Sequence, residues 1–491
     1  MTAVKPDTDC ADLPLEDARR ISDGTASCRA QVEGTARCHI TQPRRNGESM
    51  DSAGMKTCGL AAGMVAAFLT GQTLAADASK IDWSAVPASD IALFYPGQAS
   101  LEFLTSKAHS PAASKAVTDG ENCRECHDGE EEDFGNKIVA GGPLEPDPVA
   151  GKRGAFKVAV QAAYDNENLY LKVFWPAKEA GAFHEYVVYK DGKWENYATN
   201  RNNKAVAAGK LKVSYEDRFT IMLGDGKSVP AFNSQGCWAT CHNDMRYMPN
   251  EPTKADVEAH PILGKSGMKK NDIRKYIAES RTAIGPTGGW DKIKPKEEIE
   301  ALKAKGVFLE LWQWRGYRSN PSAAADDGYV LEYRAFDRGK NPFFNNWDGA
   351  KSQPVFMFDP AKNDGRAGLT ESEFRNLKAP LLTTANRVPY DPAFAWKNGD
   401  IMVKQGLQKP EGSAADNAVV GTFGNGGWTL LWTRKLKTGN DDDIVLEAGK
   451  SYPIGLAVHD DNVTARFHHV SFPQRISLGG KDGTINAVQL K

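Results

Sequence analysis

The fold class follows from the stretch between residues 155 and 175, which reads Ala155-Phe-Lys-Val-Ala-Val-Gln-Ala-Ala-Tyr-Asp-Asn-Glu-Asn-Leu-Tyr-Leu-Lys-Val-Phe-Trp175. Apolar side chains recur at every second position from Phe156 to Ala162 and again from Leu169 to Trp175. This period of two is typical of strands with one buried face. Residues 165–168 between the two runs are turn formers, so the stretch predicts an antiparallel β-hairpin.

Short runs with the same strand-like pattern follow along most of the chain. They lie at 185–189, 218–223, 308–314, 329–336, 427–435, 443–446 and 451–459. Many short strands separated by Gly, Asp and Asn predict a mainly β protein built as an antiparallel β-sandwich. Two insertions interrupt the pattern. Residues 250–306 are polar and Lys-rich, with helical stretches at 271–281 and 296–305, and residues 340–412 are loop-like with short strands.

The motif Cys123-Arg-Glu-Cys126-His127 carries the first chemical signal. C-x-x-C-H is the attachment sequence of c-type haem. Two thiols bond to one edge of the porphyrin, and the histidine that follows reaches the iron as its proximal ligand. Cysteines three residues apart project from the same side of a helix. We therefore predict a covalently bound haem on Cys123 and Cys126, with His127 on the iron.

A second motif, Cys237-Trp-Ala-Thr-Cys241-His242, has one residue more between its cysteines. A spacing of four also keeps both thiols on one helical face, so we predict a second c-type haem with His242 as proximal ligand. A structural zinc site is the first alternative, but zinc takes four ligands and each motif supplies three. A disulfide within each pair is the second alternative. Neither explains why a histidine follows both pairs.

The N-terminal part of the chain has a different character. Of the eight cysteines, four lie in the first sixty residues and the other four make up the two motifs. Residues 55–76 combine a short basic start, an apolar core and small residues, which predicts a signal peptide cleaved near Ala76. Residues 1–54 are then a non-native upstream extension or disordered. Export predicts a periplasmic protein, and no apolar run predicts a membrane span in the mature chain.

The mature chain divides into two parts in this interpretation. Residues 77–150 form a small haem segment, which ends in a proline-rich linker, and residues 151–491 form the haem-binding sandwich with its insertions at about 250–306 and 340–412. The charge is balanced, with 61 Lys and Arg against 63 Asp and Glu. This balance argues against a nucleic-acid partner, which would call for a basic surface.

Further stretches carry a family resemblance. They are the residues at 160–165 with 169–171, 216–218, 236–242, 311–314, 459–461 and 466–469, which read VQAAYD with LYL, EDR, GCWATCH, LWQW, HDD and RFHH. On these stretches the chain resembles c-type cytochromes with the ethylbenzene dehydrogenase-type haem-binding domain, related to the gamma subunits of that molybdenum enzyme and of dimethylsulfide dehydrogenase. The resemblance implies an immunoglobulin-like sandwich that holds haem at one end for electron transfer. Those gamma subunits bind haem b through methionine and lysine.

Histidines and methionines outside the motifs supply the predicted distal ligands. His109, fourteen residues before Cys123, is the first choice for haem 1 and His184 the second. For haem 2 the choices are His468, His469, Met248 and Met245. Adjacent residues of a strand point to opposite faces, so at most one of the two neighbouring histidines ligates iron.

These observations predict a periplasmic dihaem c-type cytochrome that passes electrons between redox proteins of a respiratory chain. A membrane quinol-oxidising cytochrome and a periplasmic reductase are the expected kinds of partner. The alternatives are a haem enzyme or haem-based sensor with one open iron position, and an electron-transfer subunit of a molybdenum oxidoreductase. Fingerprints of nucleotide binding or of a Ser-His-Asp triad are absent from the sequence, which favours electron transfer over catalysis.

Overall fold

The computed structural model describes residues 77–264 and 273–491. The predicted upstream extension and signal peptide lie outside the described residues. Within them the strands are β1 (Ala88–Phe94), β2 (Ala155–Tyr164), β3 (Asn168–Pro176), β4 (Tyr186–Lys190), β5 (Lys193–Thr199), β6 (Lys212–Val213), β7 (Arg218–Leu223), β8 (Leu309–Arg315), β9 (Gly328–Val330), β10 (Arg334–Phe336), β11 (Gly339–Lys340), β12 (Phe343–Asn345), β13 (Trp347–Asp348), β14 (Gln353–Pro354), β15 (Phe356–Phe358), β16 (Arg387–Pro389), β17 (Ile401–Val403), β18 (Gln405–Leu407), β19 (Glu411–Gly412), β20 (Asn417–Gly424), β21 (Gly427–Lys435), β22 (Ser451–His459), β23 (His469–Val470), β24 (Gln474–Leu478) and β25 (Ile485–Gln489).

The helices of the described residues are short. The α-helices are α1 (Leu101–Leu104), α2 (Pro111–Asp119), α3 (Cys123–His127), α4 (Glu131–Val139), α5 (Lys204–Ala207), α6 (Ala231–Gln235), α7 (Lys254–Ala259) and α8 (Lys296–Ala304). 3-10 helices lie at Ala78–Lys80, Trp83–Ala85, Gly236–Thr240, Ala278–Ser280, Asn320–Ser322, Pro360–Lys362, Glu371–Glu373 and Ser413–Ala415. No helix in the described part of the chain is long and apolar enough to cross a membrane.

The predicted hairpin is formed by β2 and β3, which pair antiparallel from Ala159 with Phe174 to Tyr164 with Leu169. Asp165 shapes the turn between them. Its carboxylate accepts hydrogen bonds from the backbone N–H groups of Glu167 and Asn168, both at 2.8 Å. A side chain that bonds to the backbone two and three residues on mimics a turn, which fixes the register of the two strands.

The largest sheet among the described residues has 13 strands. Strands β10, β9, β8, β7 and β22 form one arm, and β1, β2, β3, β21 and β20 form the other. Strand β23 joins β22 to β1, and β24 with β25 joins β22 to β2, so the pairing closes on itself. Pairing is antiparallel except where β25 meets β2 and β24. The closure joins the two arms, while β10 and β20 remain the end strands of the sheet.

Both arms of the sheet share one hydrophobic core. Its largest fully buried side chains include four tryptophans, Trp175, Trp312, Trp314 and Trp432, which come from β3, β8 and β21. An aromatic side chain removes a large apolar area from water, so this layer makes a large contribution to the stability of the fold. The prediction of a mainly β protein is confirmed.

The insertion at 340–412 is more ordered than its composition indicated. Its strand β17 joins β4, β5 and β6 in a four-stranded sheet, and short antiparallel pairs form between β12 and β18 and between β15 and β16. The insertion and the β4–β5 hairpin bury a second hydrophobic core, which includes Val187, Phe358, Leu382, Ile401 and Met402. This part of the chain therefore has a core of its own.

Three local predictions differ from the structure, and each difference has a backbone cause. The predicted helix at 271–281 contains only a 3-10 helix in its described part, because Ile277 N–H donates to Leu331 O across to another segment. The run at 443–446 is not a strand, since Ile444 N–H donates to a side-chain oxygen of Glu310. The run at 329–336 is split into β9 and β10 by a turn. The predicted helix at 296–305 is confirmed as α8.

The first segment, residues 77–150, contributes a strand to the 13-stranded sheet. Strand β1 pairs along its whole length with β2, from Ala88 with Gln161 to Phe94 with Ala155. Farther along the segment, Glu145 receives two hydrogen bonds from the guanidinium of Arg466, at 2.6 and 2.9 Å. All three side chains of the group formed by Tyr95, Glu145 and Arg466 are buried. Residues 77–150 thus contribute both a strand and a buried ion pair to the fold.

Candidate haem-attachment sites

The first motif occupies α3, which begins with a capping box. The side chain of Asn122 accepts from Arg124 N–H, and the side chain of Glu125 accepts from Asn122 N–H. This reciprocal cap sets the start of the helix at Cys123. Cys123 is partly buried, Cys126 is exposed, and both are free thiols. Burial raises the pKa of Cys123 to about 11, so this thiol is protonated at neutral pH.

His127 ends α3 and is oriented through one ring nitrogen. Its Nδ1 lies 2.8 Å from Glu130 Oε2, and its ring stacks on Phe472 and meets Phe134 edge-on. A carboxylate on Nδ1 fixes the tautomer and leaves Nε2 as the free ligand atom. His127 therefore has the arrangement that an iron-ligating histidine needs.

His109, the residue first chosen as distal ligand of haem 1, lies beside His127. The two ring centroids are 6.1 Å apart, and His109 Nδ1 is 3.2 Å from Leu104 O. Two imidazoles that ligate one metal ion from opposite sides have centroids roughly 6 Å apart, because each metal–nitrogen bond is about 2.0 Å. The spacing of this pair fits a haem iron between the two rings.

The second motif differs in its backbone from a helical turn. Helix α6 ends at Gly236, whose φ of +54° favours glycine, and a 3-10 helix then runs over Gly236–Thr240. Cys241 lies past its end in an extended conformation. The expectation that both cysteines share one helical face is therefore wrong. The extra residue is accommodated by the tighter 3-10 turn and the extended Cys241.

The two cysteines of the second motif differ in burial, since Cys237 is buried and Cys241 is partly buried. Cys237 packs on Gly455 of β22, where a Cβ atom would lie 2.5 Å from the sulfur, so the close approach requires glycine. Burial raises the pKa of Cys241 to about 11. Lys275 lies nearby, and its Nζ donates to Thr240 Oγ1 at 3.1 Å. The positive charge of Lys275 acts against burial on the pKa of both Cys237 and Cys241.

His242 is fully buried and both of its ring nitrogens have protein partners. Nδ1 is 2.6 Å from Glu102 Oε1, while Glu102 Oε2 accepts from Asn243 N–H at 2.8 Å. Nε2 is 3.1 Å from Tyr276 O, and the Tyr276 ring stacks on His242 at 3.8 Å. Glu102 is the kind of carboxylate that orients an iron-ligating histidine. The contact of Nε2 with Tyr276 O does not fit iron ligation, because Nε2 is the atom that would bind iron. The surroundings of His242 therefore match those of an iron ligand at Nδ1 but not at Nε2.

His468 and His469 face different surroundings. His468 Nδ1 is 2.7 Å from Ala465 O, which leaves Nε2 as the free atom, and its ring stacks on His459. Burial, followed by the charge of Lys275, lowers the pKa of His468 to about 3. The same Lys275 acts on the pKa of both thiols of the second motif.

His469, in β23, has its Nε2 taken up by the backbone. That atom is 2.8 Å from Arg153 O, and Nδ1 is 3.5 Å from Asp460 Oδ1. Its ring packs edge-on against Tyr95 and Phe156. The two neighbouring histidines therefore differ in the ring nitrogen that is left without a backbone partner.

The remaining predicted ligands occupy other environments. Met245 Sδ accepts from His242 N–H at 3.3 Å, and Met248 is buried in the following turn, where its N–H donates to Met245 O. His184 is buried against the rings of Tyr215 and Tyr317, and its two ring nitrogens have no hydrogen-bond partner among the described residues. His184 therefore packs against tyrosine rings, whereas Nδ1 of His127 lies beside the carboxylate of Glu130.

One aromatic cluster lies against both motifs. Phe94, Trp238 and Phe472 form its centre, with Trp238 stacked on Phe94 at 5.7 Å. Cys123 of the first motif and Cys241 of the second both pack against this cluster. The stretch 100–109 also reaches both motifs, because Leu101 N–H donates to Cys241 O and His109 lies beside His127.

Several of these residues carried no signal in the sequence. Glu102 is 140 positions from His242, and Lys275 and Tyr276 lie in a polar stretch that reads as an exposed insertion. Phe94 belongs to an apolar run, and Trp238 lies inside the second motif, but sequence spacing does not reveal that the two rings stack on each other. Apart from Trp238, which lies between the two cysteines of the second motif, none is adjacent to a motif in the chain, so only the folded structure brings them to the sites.

A mainly β protein with a closed sheet, in which two pairs of cysteines are each followed by a histidine, has residues of the kind that attach c-type haem. The chain belongs to the ethylbenzene dehydrogenase family, whose profile matches residues 80–471. It is 27% identical to cytochrome c-552 of Stutzerimonas stutzeri over 431 residues, which cover 87% of this chain and 97% of that protein. It is also 34% identical to cytochrome c-551 of Rhodocyclus tenuis over 176 residues, which cover 35% of this chain and 60% of that protein.

Proposed function

We propose that the chain is a periplasmic dihaem c-type cytochrome that transfers electrons between redox proteins. The observation that carries the proposal is the presence of two Cys-Cys-His sites, with all four thiols free, packed on one aromatic cluster. The similarity to cytochrome c-552 over nearly its whole length supports the same class. The spacing of the His109 and His127 rings supports a six-coordinate iron, which suits an electron carrier.

At the first site, Cys123 and Cys126 would hold the porphyrin edge, with His127 and His109 on the two sides of the iron. When bound, haem supplies one-electron oxidation and reduction. The chain itself supplies the orientation of the ligands. Glu130 holds His127 through Nδ1, and Leu104 O holds His109 through Nδ1, so both rings offer Nε2.

At the second site, Cys237 and Cys241 would hold the porphyrin, with His242 as proximal and His468 as distal ligand. Glu102 would orient His242. The contact between His242 Nε2 and Tyr276 O would have to be given up when haem is attached. Among the predicted distal ligands, His468 is favoured because its Nε2 is free while that of His469 is engaged by Arg153 O.

Location and partners are part of the same proposal. Export with cleavage near Ala76 would bring the chain to the compartment where c-type haem is attached. A redox partner on each side, such as a membrane quinol-oxidising cytochrome or a periplasmic reductase, would complete the electron path. N-terminal sequencing of protein from its native host should then begin close to Asp77.

The haem count tests the proposal directly. Intact mass and pyridine haemochrome analysis of the mature protein should give two covalently bound haems. Cys123→Ala and Cys241→Ala serve as matched controls for each other, since each should weaken attachment at one site and leave the other haem in place. A protein that carries one haem, and loses it in Cys123→Ala but not in Cys241→Ala, would refute the assignment of the second motif.

A further inference from the structure

One face of strands β7 and β22 lies against the second attachment site. Met222 of β7 pairs with Gly455 of β22, and four positions along the same pair Arg218 lies opposite His459. Gly455 faces Cys237, because a Cβ atom on this glycine would lie 2.5 Å from the sulfur. Side chains at every second position of a strand project from the same face. His459 is four positions from Gly455, so it projects from the face that lies against Cys237.

The two ends of this face carry different groups. At one end, Thr240 of the second motif lies over β7, with its Oγ1 4.0 Å from Met222 Sδ. At the other end are Arg218 and His459, whose Cβ atoms are about 5 Å apart because directly opposite residues of an antiparallel pair are neighbours. The thiol end and the Arg218 end are four residues apart, or about 13 Å at the usual rise of a strand. This distance is comparable to the width of a porphyrin.

His468 connects the Arg218 end of this face to the proposed second haem. Its ring stacks on the ring of His459, with the centroids 4.6 Å apart. His468 is the proposed distal ligand at that site, and the contact of its Nδ1 with a backbone oxygen leaves Nε2 free. In a haem held by two thioether bonds, both propionates lie on the side of the porphyrin away from those bonds. The propionates of a haem attached to Cys237 and Cys241 would therefore be directed toward the Arg218 end.

Arg218 is buried and offers two hydrogen-bond donors on one edge of its guanidinium. It is 7% exposed, and its Nε and Nη2 have no hydrogen-bond partner among the described residues. One N–H bond of each atom points the same way, so together they match the two oxygens of one carboxylate. A buried charged group whose hydrogen bonds are unmade is costly in free energy. The unpartnered edge of Arg218 therefore fits a carboxylate ligand.

Positive charge exceeds negative charge around Arg218. Glu216 lies near it, with Oε1 3.4 Å from Arg218 Nε in a contact without hydrogen-bond geometry. The same Oε1 is 2.7 Å from Arg318 Nη2 and 3.5 Å from Arg315 Nη1. One glutamate is thus shared by three guanidinium groups, and Asp326 adds a partner for Arg315. A further carboxylate beside Arg218 would therefore be attracted to the group rather than repelled by it.

We propose that Arg218 binds a propionate carboxylate of the second haem through Nε and Nη2. This inference rests on the proposed second attachment site, and it assigns to that site a residue that orients the porphyrin at the end opposite its thiols. Paired N–H···O bonds to a carboxylate are short and directional, so they fix orientation as well as position. The positive charge of Arg218 also stabilises the reduced haem, which carries one electron more, and so raises its reduction potential.

Resonance Raman spectroscopy and redox titration of the purified protein test this contact. The bending band of haem propionates responds to hydrogen bonds at the carboxylate, and the band and potential missing from Cys241→Ala are those of the second haem. Arg218→Gln should shift that band and lower that potential, because the N–H pair and the charge are both lost. Arg218→Lys keeps the charge, so it should shift the band with a smaller loss of potential. If Arg218→Gln does not fold, the band of Arg218→Lys decides.

Arg334→Gln is the matched control, since Arg334 is also buried and its Nη2 donates to Asp326 at 2.7 Å. It should lower the free energy of unfolding and leave the propionate band unchanged. Two haems per chain with the same propionate band in wild type and in both Arg218 variants would overturn this inference and leave the proposed function intact. One haem per chain, retained in Cys241→Ala, would refute the second attachment site and this inference with it.

Discussion

The rings of His109 and His127 lie 6.1 Å apart, centroid to centroid, although the two residues are 18 positions apart in the chain. If both ligate the first iron, His109→Ala should open one coordination position. We expect one haem of the variant to become high-spin and to bind CO, as seen by absorption spectroscopy of the reduced protein. His260→Ala, at a partly exposed histidine in contact with Trp290, is the control and should leave both haems unchanged. Rapid CO binding by the unmutated protein would instead favour the haem enzyme or sensor.

The second prediction separates His468 from its neighbour. His468→Ala should make the second haem high-spin and able to bind CO, because Ala465 O engages Nδ1 of this ring and leaves Nε2 free. His469→Ala should leave the haem spectrum unchanged and lower the free energy of unfolding instead, since His469 is a buried partner of Arg153 O. The reverse pattern of spectra would assign the ligand to His469.

A pH dependence is expected from the pair formed by Glu102 and His242. Burial alone would raise the pKa of Glu102, but the hydrogen bond from His242 Nδ1, together with the one from Asn243 N–H, holds the pKa below its usual value. A carboxyl whose pKa is lower when folded stabilises the protein above its unfolded pKa, and this contribution is lost as the pH falls through the folded pKa. Glu102→Gln should therefore cost about 1.5–3 kcal/mol at neutral pH and less in acid.

Denaturant unfolding at several pH values between neutral and acid measures this difference. The exposed Glu121, near the first motif, provides the matched control as Glu121→Gln. A Glu102→Gln variant whose loss of stability stays the same across the pH range would show that the carboxylate charge is not what stabilises the pair.

Arg466 should be needed for the first segment to stay attached to the sheet. Its guanidinium bonds Glu145, Tyr95 and Tyr247 O, and it is buried. Arg466→Ala leaves the Glu145 charge without its partner, so we expect a loss of about 3–5 kcal/mol in the free energy of unfolding. Arg466→Lys keeps the charge but loses the paired geometry and should cost less. Equal stability of wild type and Arg466→Ala would contradict this role.

The sequence predicted the parts of the fold that depend on local pattern. The strands at 218–223, 427–435 and 451–459 have the predicted bounds, because alternation over six or more residues leaves little choice of register. The run at 443–446 failed because a glutamate side chain, rather than a neighbouring strand, bonds its backbone. The order of the strands and the closure of the sheet through β24 and β25 depend on long-range pairing that no local pattern encodes.

At the candidate sites, the sequence could predict contacts between residues that are close in the chain, but not contacts between distant residues. His109 and His127 are joined by a short connection, so their proximity was predictable. The choice between His468 and His469 was not, because adjacent residues share their sequence context and differ only in the face they present. The contact of Glu102 with His242 could not be predicted either, because the two residues are far apart in the chain and only the fold brings them together.

Cys123 and Cys241 pack on the same aromatic cluster, within one compact unit of the chain. In the proposed dihaem protein, electron exchange between the two haems would therefore require no movement of one domain toward another. Its rate should be independent of solvent viscosity, and external partners could reduce one centre and oxidise the other while the chain itself stays still.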